Sequence, residues 1–180
     1  MAAKYYRLGY NALAVLLLIP PIYILYSYEW EQLWQWTGYY SWLQLLLGLG
    51  SILGFLLTLR SYGGMEFLGI SQALSSSQET HNETLQISNF HRYVRHPWYF
   101  LALVLLWSRD MNLGLLITAI FITLYFIIGS RLEEKKLVLE FGGRYANYCK
   151  KVPGLIPLPW KFLDKKQAIA FSLNSDKKTD

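Results

Sequence analysis

From Tyr39 to Leu59 the chain reads YYSWLQLLLGLGSILGFLLTL, without one charged residue. At about 1.5 Å per residue, a helix of that length covers about 30 Å, the hydrocarbon thickness of a bilayer. A water-soluble fold would have to bury such a helix on every side, whereas lipid accepts it as it stands. Composition agrees, because 53% of the 180 residues are hydrophobic, 17% are aromatic and only 16% are charged. The sequence therefore predicts an all-α, polytopic integral membrane protein.

Three more apolar runs complete the expected set of about four transmembrane helices. Residues 8–27 form the first span, interrupted at Pro20-Pro21 where a kink is expected, and no small-residue cleavage site follows that would make it a removable signal. Residues 39–60 form the second, in which Gly48, Gly50, Ser51 and Gly54 allow another helix to approach closely, from the same chain or from another copy. Residues 97–108 and 113–130 form a helical hairpin turned at Arg109, Asp110 and Asn112. Its first arm is too short to cross unaided, so its polar start belongs at or slightly inside the interface. Between spans lie a charge-poor, tryptophan-bearing loop at 27–38 and a polar connection at 61–96, with an interfacial helix possible around Met65 to Leu74. The remainder divides into 131–157, with its own motif, and a polar tail at 158–180, all within a single membrane domain.

Charge sets the orientation. Only Arg109 falls in the two loops on one side, while Lys4, Arg7, Arg60, Arg92, Arg95 and the basic C-terminal segment fall on the other. By the positive-inside rule both termini are cytoplasmic. The net charge of +5 is thus a matter of topology, and no basic stripe alternating with aromatics points to nucleic acid. One cysteine, Cys149, excludes an internal disulfide or a multi-cysteine zinc site. The spacings of His81, Glu83, His91 and His96 match no zinc signature.

Two polar constellations fall on this cytoplasmic side. Arg95-His96-Pro97-Trp98-Tyr99 reads as a helix start with His96 at the N-cap and Pro97 at the first helical position. Unpaired N–H groups at such a start, with Arg95 beside them, suit an anion or a polar cofactor head; the same residues also suit plain interfacial anchoring. The second constellation is Glu133-Glu134, followed by Leu137, Phe141, Tyr145 and Tyr148 at helical spacing and by the stop at Val152-Pro153. Taken alone, the carboxylates form a solvated helix face, with Glu133 and Lys136, and Glu140 and Arg144, at favourable spacings. At the end of a spanning helix they call for partners, and Arg95, His96 and Arg131 are on the same side.

The order Arg95-His96-Pro97-x-Tyr99, a hairpin, Glu133-Glu134-x-x-Leu137-x-x-x-Phe141-Gly142-x-x-Tyr145-x-x-Tyr148 and Val152-Pro153-x-x-Ile156-Pro157 resembles the isoprenylcysteine carboxyl methyltransferase and phospholipid methyltransferase superfamily. The stretch Tyr125 to Glu134 is similar to its branch of small bacterial thiol methyltransferases. The resemblance covers Leu85 to Pro157 and implies a cytoplasmic S-adenosylmethionine site, formed by the last hairpin and the C-terminal segment. It implies cofactor contacts from Leu85, Gln86, His91, Arg95, His96, Pro97, Trp98, Tyr99, Glu133 and Glu134. It also implies a methyl acceptor that is an isoprenylcysteine carboxylate, a thiol or a phospholipid amine. His91 stands where relatives often have tyrosine, and Leu101 where they often have glycine. The acceptor-contacting arginine of one branch aligns near Gly129, with Arg131 its neighbour.

Methyl transfer from a sulfonium is an in-line displacement, so alignment and exclusion of water matter more than covalent help. No GxGxxG follows a strand here, so the site is not of the Rossmann kind. A thiol acceptor needs a base, for which His91 and His96 are candidates; a catalytic role for Arg131 is what the resemblance implies, through its place beside the aligned arginine position. The rival readings are an NADPH-dependent membrane sterol or isoprenoid reductase, which shares an Arg-His-Pro-x-Tyr turn, and a non-enzymatic membrane scaffold.

Overall fold

The computed structural model describes residues 16, 19–61 and 87–173. The expected interfacial helix near Met65, and Leu85 and Gln86, lie outside the described residues. The chain divides into two compact units, residues 1–81 with 109–118, and residues 82–108 with 119–180.

In the first unit, α1 is helical over residues 19–27 and α2 spans Tyr40–Ser61. Helix α2 exposes leucines over one broad face, Leu45, Leu46, Leu49, Leu53 and Leu56 among them, and is long and apolar enough to cross a membrane. Its small residues Ser51, Gly54 and Thr58 are buried. The two hydroxyls turn back onto their own helix, Ser51 donating to the Leu47 carbonyl at 2.8 Å and Thr58 to that of Phe55 at 2.8 Å. A polar group without water is thereby satisfied locally.

The first unit also departs from an all-helical reading. Strand β1 (Gln32–Trp34) pairs antiparallel with β2 (Met111–Asn112), Gln32 opposite Asn112 and Trp34 opposite Met111. The Gln32 side-chain amide donates to the Met111 carbonyl at 2.9 Å, the Leu113 N–H donates to Glu31, and Asp110 accepts from the Trp36 N–H at 3.0 Å. Asn112 then caps the next helix through the Leu115 N–H at 2.7 Å. Strands of three and two residues leave no alternating pattern to read; only the long-range pairing creates them.

Helix α3 (Pro97–Trp107) has 11 residues and α4 (Leu113–Phe141) has 29. At about 1.5 Å per residue, α4 runs about 44 Å against a hydrocarbon core of about 30 Å, so its charged last third extends beyond its apolar part. Helices α2 and α4 are the two that could cross by length and composition among the described residues. Within the second unit, α3 packs on α4 through stacked Tyr99 and Phe126, ring centroids 4.4 Å apart, and through Trp107, whose indole N–H donates to Thr123 at 3.0 Å.

Helical spacing from Leu137 to Tyr148 suggests one helix, yet the chain breaks at Gly142, where φ is +60°, before α5 (Gly143–Lys151) begins. A side chain there would be strained, and the break separates Glu140 from Arg144 onto different helices. Arg144 Nε and Nη2 are in fact buried without a hydrogen-bond partner among the described residues. The periodic residues still converge: Tyr145, Tyr148, Val152 and Leu163 form a core, with Leu137, Phe141, Cys149, Ile87 and Phe171 against it. The region expected to be a polar tail thus contributes Leu163 to this core, and continues into α6 (Lys165–Leu173) with Ala168 buried.

Candidate functional site

The Arg95-His96-Pro97 turn is built from backbone first. Proline at the first position of α3 keeps His96 out of the helical region, with φ −119° and ψ 70°. This extended stretch pairs with the segment after α5, the Arg95 N–H donating to the Pro153 carbonyl at 2.9 Å and the His96 N–H to Gly154 at 3.0 Å. His96 occupies the N-cap without a side-chain capping bond, because its ring points elsewhere.

That ring reaches both carboxylates at the end of α4. His96 Nε2 lies 3.0 Å from Glu134 Oε1, and Nδ1 lies 3.5 Å from Glu133 Oε2. An ionised carboxylate only accepts, so the shorter contact assigns the proton to Nε2, donating to Glu134. In the neutral ring Nδ1 then carries a lone pair facing Glu133, at a distance too long for a good hydrogen bond. The imidazole side chain is 7% exposed, Glu134 19% and Glu133 51%. One carboxylate is structural in its surroundings; the other is open to solvent or a ligand.

Arg95 fixes the first of these. Its Nε donates to Glu134 Oε1 at 2.9 Å and its Nη2 to Oε2 at 2.9 Å, a two-pronged pair, while Nη1 donates to the carbonyls of Cys149 and Val152 at 2.6 Å each. A partly buried ion pair stabilises only when its remaining donors and acceptors are used, and here they are. Gly154 belongs to the same knot, because a Cβ there would stand 3.3 Å from Arg95 Nη2 and 3.5 Å from Glu134 Oε1.

The aromatic residues line up beside the knot. Tyr99 stacks on His96, centroids 5.3 Å apart with 12° between planes, and on Phe126 on its other face. Pro97 is buried and Trp98 half-buried. His91 sits one turn upstream, its Nδ1 2.9 Å from Ser88 Oγ and its carbonyl accepting the Tyr148 hydroxyl at 2.6 Å. Burial first, and the neighbouring His96 second, push the His91 pKa from 6.5 to about 4. Burial also raises the Tyr145 and Tyr148 hydroxyls and the Cys149 thiol.

The structure therefore brings Arg95, His96, Tyr99, Glu133 and Glu134 together. Arg131 is exposed, and two residues along a helix from Glu133 it points about 200° away. Sequence reasoning passed over Arg92, Phe126 and Gly154. Arg92 Nε donates to the Leu163 carbonyl at 2.9 Å and the Leu163 N–H returns a bond to Arg92, tying the turn to the C-terminal segment. Gly154, directly after the Val152-Pro153 stop, was the one of these with a usable signal.

Comparison with known proteins gives relatives of one name. A methanethiol S-methyltransferase of Pseudomonas deceptionensis is 37% identical over 95 residues, covering 51% of this chain and 36% of the relative. Methanethiol S-methyltransferase 2 of Bradyrhizobium diazoefficiens is 28% identical over 165 residues, covering 86% of this chain and 62% of the relative. A methanethiol S-methyltransferase of Crocosphaera subtropica is 40% identical over 78 residues, 43% of this chain and 29% of the relative. The chain thus spans less than two thirds of the length of each of these proteins. No family model matches it, and no solved structure does.

Proposed function

We propose that this chain is an S-adenosylmethionine-dependent integral-membrane methyltransferase whose acceptor is a small thiol, methanethiol being the first to try. The observation that carries the reading is the His96 imidazole held between two carboxylates of unlike exposure, one locked by Arg95 and one open. The relatives' shared name favours a thiol over the isoprenylcysteine carboxylate or phospholipid amine that the superfamily resemblance leaves open. Four spans with both termini cytoplasmic belong to the same proposal, supported by α2, α4 and the distribution of Lys and Arg.

The donor set suits such a cofactor. A half-exposed carboxylate, Glu133, fits an ammonium or a pair of hydroxyls, and the start of α3 with no side-chain cap fits a carboxylate. The half-exposed Glu133 carboxylate also suits a positively charged sulfur near it. When bound, the cofactor supplies a methyl group on a sulfonium. Everything else falls to the chain. Glu134 holds the Nε2 proton of His96, leaving Nδ1 to take the proton of the acceptor thiol. Against its burial, which raises it, the hydrogen bond from His96 and the Arg95 guanidinium hold the Glu134 carboxyl below the usual carboxylate range, and the Arg95 fork orients it, so Arg95 acts through Glu134. His91, with its pKa near 4, is a poor match for a thiol, and we assign it to positioning through Ser88 and Tyr148. Pro97 and Trp98 shape the helix start; Leu85, Gln86 and Arg131 stay as candidates from the resemblance.

Calorimetric titration of the detergent-purified protein with S-adenosylmethionine, S-adenosylhomocysteine and NADPH tests the cofactor class. Saturable binding of the first two and not the third is the expected result; binding of NADPH alone would support the reductase reading, and no binding the scaffold. A methyl-transfer assay with methanethiol and longer thiols then tests the acceptor.

A further inference from the structure

Beyond the site, the segment between Pro153 and α6 carries an arrangement that the methyl-transfer reading does not use. Ile156, Trp160, Phe162 and Ile169 are 65%, 73%, 49% and 55% exposed. Exposed Lys161, Lys165 and Lys166 are interleaved with them, with Asp164 as the acidic residue among them, its side chain accepting from the Gln167 N–H at 2.7 Å. Tyr93 stacks with Phe162, centroids 6.0 Å apart, at the edge of an open cleft of about 330 Å³ lined by Tyr93, Pro157, Leu158, Pro159 and Phe162. Scattered exposed apolar residues are ordinary, but large aromatics alternating with lysines on one short segment are not.

Two features say what covers this surface. The first is that the segment is tied to the polar end of α4 within its own unit. Arg92 and Leu163 exchange two hydrogen bonds, the 95–96 turn pairs with 153–154, and Arg95 joins that turn to Glu134. The second is that α4 exposes Phe121, Leu124, Tyr125 and Ile128, an unbroken apolar stripe at helical spacing that runs up to the first charge at Arg131; beyond it the exposed Leu132, Val138 and Leu139 are interleaved with Glu133, Lys135, Lys136 and Glu140. The level at which that stripe ends is the bilayer boundary, and the segment is bonded to it. Tryptophan and tyrosine favour that boundary, and lysines beside it attract anionic headgroups, about 1 kcal/mol each near the surface, or about fivefold in local lipid preference.

We propose that residues 156–169 are a foot that rests on the membrane, with Trp160, Ile156 and Phe162 at the headgroup boundary and Lys161, Lys165 and Lys166 on anionic phospholipid headgroups. The proposal rests on the reading that α2 and α4 span the bilayer. Its consequence is mechanical: the foot sets the height of the His96 knot at the interface, where an apolar thiol partitions.

The test uses the full chain in nanodiscs of phosphatidylcholine alone or mixed with phosphatidylglycerol, each with shallowly or deeply brominated acyl chains. Emission of Trp160 is taken as the difference between wild type and Trp160→Phe, and that of Trp42, on α2, from Trp42→Phe. The expected result is loss of most Trp160 emission with shallow bromines, less with deep ones, and a larger loss when phosphatidylglycerol is present. Replacing Lys161, Lys165 and Lys166 together by Ala should remove that last increment. Quenching of Trp42 but not Trp160 would overturn the foot and leave the spans intact. Quenching of neither would overturn the spanning reading and the foot with it. Trp160 quenching that ignores phosphatidylglycerol would overturn the anionic-headgroup assignment.

Discussion

Helix α4 carries a polar structure at each end, and the two are built differently. At its start, the β1–β2 pair closes with backbone and amide hydrogen bonds, Asp110 supplying one charged acceptor. Near its charged end, Arg95, His96 and Glu134 are joined by hydrogen bonds, and Glu133 stands 3.5 Å from His96. Neutral bonds would have sufficed to hold a turn there too, as the first end demonstrates. Charged groups cost desolvation wherever they are partly buried, and their concentration at one end is what the proposed site rests on.

The largest effect expected from breaking this contrast comes from Arg95→Ala, which leaves Glu134 and two carbonyls without their donor. Removing one partner of a buried pair costs about 3–5 kcal/mol, whereas Asp110→Asn at the other end keeps an acceptor and should cost under about 1 kcal/mol. Thermal unfolding of the purified variants, ranked against wild type, checks both; a milder loss for Arg95→Ala than for Asp110→Asn would erase the distinction between the two ends.

A pH dependence belongs to the second end. His91 titrates near 4 in the folded chain against 6.5 unfolded, so on acidification the unfolded chain takes up the proton first. Stability is therefore complete above about pH 6.5 and declines as pH falls toward about 4, by up to about 3 kcal/mol. His91→Gln should flatten that part of the curve of melting temperature against pH. An unchanged slope would assign the acid sensitivity to other groups.

Packing dominates at the first end. A Cβ on Gly114 would lie 2.6 Å from the Trp30 ring, and Trp30 is itself held by its indole N–H to the Leu25 carbonyl at 3.0 Å. Gly114→Ala must displace that ring, an overpacking cost of about 1–3 kcal/mol, with the proposed methyl transfer unaffected at temperatures where the protein stays folded. Gly154→Ala meets softer side-chain atoms at 3.3 Å and should reverse the pattern, losing activity more than stability. Melting temperature and turnover measured on both variants separate the two behaviours.

What the sequence disclosed follows the same division. The apolar runs of α2 and α4, the helix start at Pro97 and the convergence of Leu137, Phe141, Tyr145 and Tyr148 depend on local pattern and composition, and they were legible. The β1–β2 pair and the Arg92–Leu163 exchange depend on partners 71 or more residues apart, which no local period encodes. In the site, the juxtaposition of His96 with Glu133-Glu134 was legible from topology, because a hairpin returns the chain to the same face. The unequal duties of the two carboxylates were not, since adjacent residues on a helix differ by about 100° and only the position of Arg95 decides which one it locks.

The sharpest use of that inequality has the smallest effect on stability. Glu133 is half-exposed and stands 3.5 Å from His96 Nδ1, so Glu133→Gln gives up a weak, solvent-screened contact and should lower stability by under about 1 kcal/mol. Its carboxylate is nevertheless the one left open to a ligand's ammonium or hydroxyls. Loss of that charge should weaken S-adenosylmethionine binding by about 1.5–3 kcal/mol, roughly 10- to 150-fold, the worth of a charge-assisted hydrogen bond. Glu134→Gln inverts the balance, because it strips the Arg95 fork of a charge and unfolds more readily before any question of binding arises. Calorimetry and thermal unfolding on the two variants side by side decide the matter: if they weaken binding and stability in equal proportion, the carboxylates share one structural task, and the open position assigned to Glu133 is wrong.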